Sequence, residues 1–383
     1  MRTFELSRRL QKLPPYLFAQ IDKQKRELRA KGIKLIDLSI GDPDIPAPDK
    51  AADILYESAR VKDYQKYPLD AGLPSFKQAV KNWFRVRFGV SLDERKEIIT
   101  LIGSKEGLVH LPLAFVNPGD YILIPSPGYP GYRGAGLLSG AKIHEMPLLA
   151  KNNFLPELKK IPRAIRDKAK IIYLNYPNNP TSALAPKIFL EELVKFASKY
   201  GLIIAYDNAY SEIYFDKKPS SILEIKGAKE VSLEFHSFSK TFCMTGYRLG
   251  WACGNEQLVE GLLRVKTNVD SGAFLAIQKA GEVLLNEEAV YTDYVRKVIG
   301  ERRDIFIGVL RNAGFSEVHA DSTFYVWAKI PDKFKSSLDY SRYLLVEKNV
   351  AATPGLGFGK YGEGYIRFAL TVEKDVLSSV KLL

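Results

Sequence analysis

The sequence predicts an α/β protein: a mostly parallel central sheet with helices on both faces, carrying a smaller α+β portion made from both termini. Two observations lead there. Through the middle of the chain one grammar repeats, a short β-branched or apolar run, then a polar or Gly/Pro turn, then a helical stretch. Near both ends that grammar stops. A length of 383 residues exceeds what a single core organises, and a 46% hydrophobic content suffices for a substantial interior.

The elements follow in order. LFAQIDKQKRELRAKG reads as a helix, and LIDLSIGDPDIPAP as an extended segment broken by prolines. EIITLIGSKEGLVHLPLAFV gives a strand near 97–102, a turn at Gly103-Ser104-Lys105 and a helix. YILIPSPGY, KIIYLNYPNNP, LIIAYDNAYSEI and EVSLEFHSFSK are further strand runs, each ending in polar residues. From about residue 280 the pattern changes to a long charged helix, YVRKVIGERRDIFIGVLRNAG, and strands near STFYVWAKI and GYIRFAL. Residues 49–280 are therefore expected to form a large domain, and residues 1–48 with 281–383 a small one.

Composition narrows the function. The formal charge of +12, from 56 Lys and Arg against 44 Asp and Glu, is spread along the chain with acids between the bases. That describes a solvated basic surface and no nucleic-acid stripe. Cys243 and Cys253 fit no CxxC pair, and His110, His144, His236 and His319 show no HExxH-like spacing, so no metal site is legible. MRTFELSRRLQKLPPYLF interrupts its apolar residues with charges, and no run reaches the ~18 apolar residues of a membrane span. A cytoplasmic protein without membrane contact is expected.

Ligands of parallel sheets bind beyond the carboxyl ends of the strands, so Ser104, Tyr129, Asn179, Asp207 and Lys240 should converge. In HSFSKTFCMTGYRLGW, Lys240 follows a core strand by a few residues. Most lysines are solvated, but an unpaired ammonium here would be costly. Burial or a nearby cation would lower its pKa and make it a nucleophile able to hold a carbonyl cofactor. Arg248, eight residues on, would supply that charge and could bind phosphate. Amides at Gly103-Ser104-Lys105 would cradle a phosphate or merely begin a capped helix. Asp207 equally fits a helix N-cap, Tyr129 a core aromatic, Arg367 an exposed edge-strand arginine and Gly41 a turn beside Pro43.

SFSKTFCMTGYRLGW resembles the lysine signature of the class I aminotransferases, pyridoxal 5′-phosphate enzymes of fold type I, and the other family motifs follow in order along essentially the whole chain. The resemblance implies that Lys240 is bonded to the coenzyme aldehyde while Ser237, Arg248, Ser104 and Lys105 hold its phosphate. It assigns Asp207 to the pyridine nitrogen, Tyr210 and Asn179 to the phenolic oxygen, and Tyr129 to the face of the ring. Arg367 would bind the substrate carboxylate, with the Gly41 backbone on its other side. Tyr67 resembles the tyrosine that reaches the phosphate of a neighbouring subunit, which implies a homodimer with shared active sites. The family usually has glycine after NNPT, where this chain has Ser182.

The activity implied is a ping-pong amino transfer between an amino acid and a 2-oxo acid. LPPYLFAQIDKQKRELRAKG and TPGLGFGKYGEGYIRFAL are similar to prokaryotic LL-diaminopimelate aminotransferases and their aspartate-type relatives, which favours LL-diaminopimelate with 2-oxoglutarate, in lysine biosynthesis. Aspartate or alanine transamination, or a β-eliminating lyase on the same fold, stays open. GFGKYG satisfies GxGxxG, but it leads straight into YIRFAL with no room for a βαβ unit, and so reads as a glycine loop near the substrate.

Overall fold

The computed structural model describes residues 4–13, 17–68, 71–287 and 289–383. Its strands in chain order are β1 (Ile36–Asp37), β2 (Ile98–Leu101), β3 (Tyr121–Ser126), β4 (Lys142–Pro147), β5 (Ala169–Asn175), β6 (Ile203–Asp207) and β7 (Ser232–Ser237). There follow β8 (Gly250–Gly254), β9 (Val318–His319), β10 (Tyr325–Lys329), β11 (Val350–Ala351), β12 (Thr353–Pro354) and β13 (Tyr365–Ala369).

Seven strands form the central sheet in the order β2-β8-β7-β6-β5-β3-β4. β3 to β7 pair in parallel, and β8 runs antiparallel to both β2 and β7. The runs that looked uniformly apolar lie where both faces are covered, as a parallel sheet requires. Successive residues of one strand feed opposite layers: Ile172 and Leu174 join a cluster with Phe84, Tyr206 and Trp251, while Ile171 and Tyr173 join one with Ile99, Ile122 and Phe235. Helices Pro74–Phe88 and Lys187–Tyr200 supply the first layer, and Ser104–Phe115, Pro130–Ser139 and Glu256–Val269 the second.

A four-stranded antiparallel sheet, β12-β13-β10-β9, packs with helices Ala289–Asn312 and Ser337–Glu347 around a third cluster. That cluster draws Leu38 and Ile45 from near the start of the chain and Phe306, Val326 and Phe368 from its last third. β1 and β11, paired in parallel, stitch the two regions of sequence together. The GFGKYG segment forms two short 3-10 turns, Gly355–Phe358 and Lys360–Gly362, between β12 and β13. Among the described residues no helix is long and apolar enough to cross a membrane.

Candidate active site

A cavity of about 340 Å³ opens at the carboxyl ends of the parallel strands. Of the twelve residues picked out in the sequence, Gly41, Ser104, Lys105, Tyr129, Asn179, Asp207, Tyr210, Ser237, Lys240, Arg248 and Arg367 line it. Tyr67 does not; it stands 88% exposed on the surface of the single chain.

Lys240 sits on a one-turn helix, Phe238–Thr241, that follows β7 directly and is capped by the Ser237 hydroxyl, which accepts from the Ser239 amide at 3.2 Å. This turn aims the ammonium into the cavity, where Nζ donates to the Gly41 carbonyl at 2.7 Å and lies 5.4 Å from the Phe324 ring centre. Burial pushes its pKa below the ordinary lysine value, and the Arg367 guanidinium adds to that push against Tyr325, Asp42 and Cys243. The cation that matters is therefore Arg367, whereas the sequence had suggested Arg248. Gly41 can lie this close to its neighbours because it has no side chain: a Cβ there would sit 1.8 Å from the Tyr325 hydroxyl.

Asp207 ends β6. Its Oδ2 accepts from the Tyr132 hydroxyl at 2.7 Å and its Oδ1 from the Ala209 amide at 3.3 Å. Burial raises its pKa to about 6, opposed by those two hydrogen bonds and by the fields of His236 and Lys240. Asn175, at the end of the adjacent β5, spans from Asp207 to Asn179: its Nδ2 donates to the Asp207 carbonyl at 2.7 Å and its Oδ1 accepts from the Asn179 amide at 2.7 Å. The Tyr210 and Tyr325 hydroxyls meet at 3.2 Å.

Arg367, in the middle of β13, is 3% exposed, so the edge-strand surface reading fails. Its Nη1 donates to Asn179 Oδ1 at 2.8 Å and its Nη2 to the Ser39 carbonyl at 2.7 Å. The guanidinium carbon lies 4.1 Å from the Tyr325 ring centre and 4.7 Å from that of Phe358.

At the other end of the cavity Ser104 and Lys105 open the helix Ser104–Phe115, so their amides fall outside the i→i−4 ladder. Arg248 reaches over this terminus, donating to the Thr245 carbonyl at 2.9 Å and the Ile102 carbonyl at 3.3 Å. Gly103 makes room for it: φ is 92°, and a Cβ would lie 2.5 Å from Arg248 Nη2. Tyr129 closes a side wall, edge-on to Tyr132 with ring centres 5.5 Å apart.

Ser182, where a glycine was expected, adopts φ of 60° in the left-handed region. It keeps the turn by bonding outward: its Oγ accepts from the Asp321 amide at 3.1 Å and its carbonyl from the Ser322 hydroxyl at 2.6 Å.

Tyr132, Asn175, Thr245, Phe358 and Tyr325 escaped the sequence reading. Asn175 ends a strand run, and Tyr132 lies three residues beyond Tyr129, one helical turn along, so both carried a usable signal. Tyr325 carried none, because it arrives from the antiparallel sheet and no rule of parallel-strand ends points to it.

A partly buried lysine of lowered pKa on the turn after a parallel strand, a buried carboxylate at the end of the adjacent strand and a cationic helix terminus on one doubly wound sheet define the class: a fold type I enzyme dependent on pyridoxal 5′-phosphate. The family model described as aminotransferase class I and II matches residues 33–380, and the chain belongs to that family. Among its relatives, an LL-diaminopimelate aminotransferase from Maridesulfovibrio salexigens is 50% identical over 379 residues, covering 98% of this chain and 97% of the relative. One of the same name from Aquifex aeolicus is 49% identical over 375 residues, covering 98% and 97%. Among solved structures, substrate-bound BacF from Bacillus subtilis superposes with a TM-score of 0.95 at 34% identity, over 98% of this chain and 96% of that one. A single mutant of Thermus thermophilus aspartate aminotransferase gives 0.90 at 28% identity, over 98% and 97%. The protein is thus a pyridoxal-phosphate-dependent aminotransferase.

Proposed function

We propose that this aminotransferase moves an amino group between LL-diaminopimelate and 2-oxoglutarate by a ping-pong scheme, in lysine biosynthesis. The chemistry rests above all on one observation: Lys240 is held in a cavity with the Asp207 carboxylate, the Arg367 guanidinium and a cationic helix terminus around it. The residues fit pyridoxal 5′-phosphate by donor type. An anionic phosphate suits the Ser104 and Lys105 amides, the Ser237 hydroxyl and Arg248, and the space a Gly103 Cβ would fill is taken by that arginine. A protonated pyridine nitrogen suits Asp207, the phenolic oxygen suits Tyr210 and Asn179, and the ring face suits Tyr129. When bound, the coenzyme supplies an electron sink that acidifies the Cα–H bond of the attached amino acid.

Lys240 then acts as the base. Its lowered pKa favours the neutral amine, which would accept the Cα proton of the bound amino acid, while the Gly41 carbonyl accepts a hydrogen bond from Nζ when the amine is free. Arg367, anchored by Asn179 and Ser39, grips the α-carboxylate through its planar fork and so turns the Cα–H bond toward Lys240, with the Gly41 backbone on the other side. Asp207 keeps the ring nitrogen protonated. Tyr67 is exposed and does not line its own site, which supports a reach into that of a second copy in a homodimer. A large domain of residues 49–280, a small one of 1–48 with 281–383, and a cytoplasmic location complete the reading.

The diaminopimelate substrate is favoured by the relatives that carry that name at 50% and 49% identity, against 28% for the aspartate enzyme. A panel of amino donors against 2-oxoglutarate tests it. Turnover of aspartate without turnover of LL-diaminopimelate would end the substrate assignment. Full transaminase turnover by Lys240→Ala would end the chemical one.

A further inference from the structure

Beneath the cationic end of the cavity lies a charge cluster that the proposed chemistry does not use. Lys266, in helix Glu256–Val269, is 0% exposed. Its Nζ lies 3.0 Å from both carboxylate oxygens of Glu106 and 2.7 Å from Asp270 Oδ1. His110 Nδ1 is 3.4 Å from Glu106 Oε1. The ligand atoms of Glu106, His110 and Asp270 lie within 4.8 Å of one another, as those of a metal site would, but the Lys266 ammonium already bonds both acids and provides their cation.

Glu106 is the third residue of the helix whose first two residues line the cavity. Its Oε2 accepts from the Ile102 amide at 2.7 Å, and the Ile102 carbonyl accepts from Arg248 Nη2 at 3.3 Å. Lys266 thus contacts Glu106, Glu106 holds the Ile102 amide, and the carbonyl of the same residue holds the arginine over the helix terminus. An acid in the first helical turn suits the helix dipole. Next to a bound dianion it is a liability, since a buried carboxylate there repels the ligand unless a cation cancels it.

We propose that Lys266 is a positioning residue for the coenzyme phosphate: it neutralises Glu106 and, through it, braces Ile102, whose carbonyl holds Arg248, so that the helix terminus presents net positive charge to the anion. This rests on the phosphate assignment of Ser104, Lys105 and Arg248 made above.

The test compares pyridoxal 5′-phosphate with pyridoxal, which has the aldehyde and ring but no phosphate, by equilibrium dialysis against the full-length apoenzyme. Lys266→Met should weaken pyridoxal phosphate about ten- to a hundredfold, the range found when outer partners of a bound ion are removed, and leave pyridoxal within about twofold. Glu106→Gln keeps an oxygen for the Ile102 amide and removes the anion, so it should not weaken pyridoxal phosphate. The double variant should bind pyridoxal phosphate clearly more tightly than Lys266→Met, any shortfall from the parent reflecting Asp270, which also loses its cation. Equal losses for both ligands in Lys266→Met, or a double variant as weak as the single, would overturn the proposal. Should Lys266→Met fail to fold, the other two variants decide, because pyridoxal phosphate binding weakened by Glu106→Gln contradicts a charge role. A parent chain that binds both ligands equally would instead sink the phosphate assignment itself.

Discussion

Tyr132→Phe removes one oxygen and should change the acid–base behaviour of the whole site. Tyr132 is 1% exposed, its ring stacks on Tyr173 at 5.0 Å and 19°, and its hydroxyl donates to Asp207 Oδ2 at 2.7 Å. The ring keeps its packing in the variant, so the perturbation falls on the hydrogen bond. Burial already holds Asp207 at about 6, and this bond is the largest influence pulling it down. A hydrogen bond to an ionised acceptor is worth roughly 1.5–3 kcal/mol, and one pH unit corresponds to about 1.4 kcal/mol, so the Asp207 titration should move up by about one to two pH units. The Ala209 amide, His236 and Lys240 still favour the anion, while Tyr210 and Tyr206 also face Asp207 and stay in place. The assay is an infrared titration of the apoenzyme, following the protonated-carboxyl band, with Asp207→Asn to identify it. In the loaded enzyme the acid limb of the pH–rate profile should move the same way, since a neutral Asp207 no longer favours a protonated ring nitrogen. A band whose midpoint stays put, or shifts toward acid, would refute the reasoning.

Asp207 also carries a stability cost. Its pKa is raised from 3.8 to about 6 in the fold, so the stability linked to its proton is present below 3.8 and lost as pH rises through about 6. Asp207→Asn apoenzyme, measured by urea unfolding, should gain about 2 kcal/mol at pH 8 relative to its standing at pH 4, and an equal difference at both would contradict the shift. Arg367→Lys keeps the charge but cannot bond Asn179, Ser39 and a carboxylate with one planar fork; kcat/KM for the amino acid should fall about a hundredfold, mostly through KM, with coenzyme content unchanged. At Ser182, glycine relieves the left-handed backbone but gives up the bond to the Asp321 amide, whereas alanine gives up the bond and keeps the strain. Thermal unfolding should place Ser182→Ala below Ser182→Gly by about 1 kcal/mol, and the reverse order would refute the strain argument.

What could be read from the sequence was whatever local rules govern. The central strands are legible because parallel sheets bury both faces, which leaves runs such as KIIYLN with almost no polar residue until the end. The same rule located Asn179, Asp207 and Lys240, since a polar residue just past a buried strand has few places to point except the crevice. β8 was missed because GWACG lacks a β-branched residue and inserts antiparallel between β2 and β7, where its neighbours dictate the pairing. β4 was missed for the opposite reason: it is an edge strand, mostly half-buried, and KIHEMP is too polar to stand out.

The electrostatics of the site were the least legible part, and the reason is geometric. Sequence spacing suggested that Arg248 would depress Lys240, but Arg248 turns outward over the helix terminus, and the cation near Lys240 comes from position 367, 127 residues further along the chain. β13 delivers it because Trp327 pairs with Arg367 and Thr353 lies on its other side, so the guanidinium is fixed by sheet register. The segment from Leu38 to Asp44 completes the arrangement. It is tied to β13 through the Ala369 amide and the Leu38 carbonyl, to Lys240 through the Gly41 carbonyl, and to helix Ala289–Asn312 through a two-pronged Arg302–Asp44 pair at 2.6 and 2.9 Å. Three distant stretches of chain thus act on the pKa of one amine. A pKa of this kind belongs to the tertiary fold, and a motif can name the lysine without revealing which arginine tunes it.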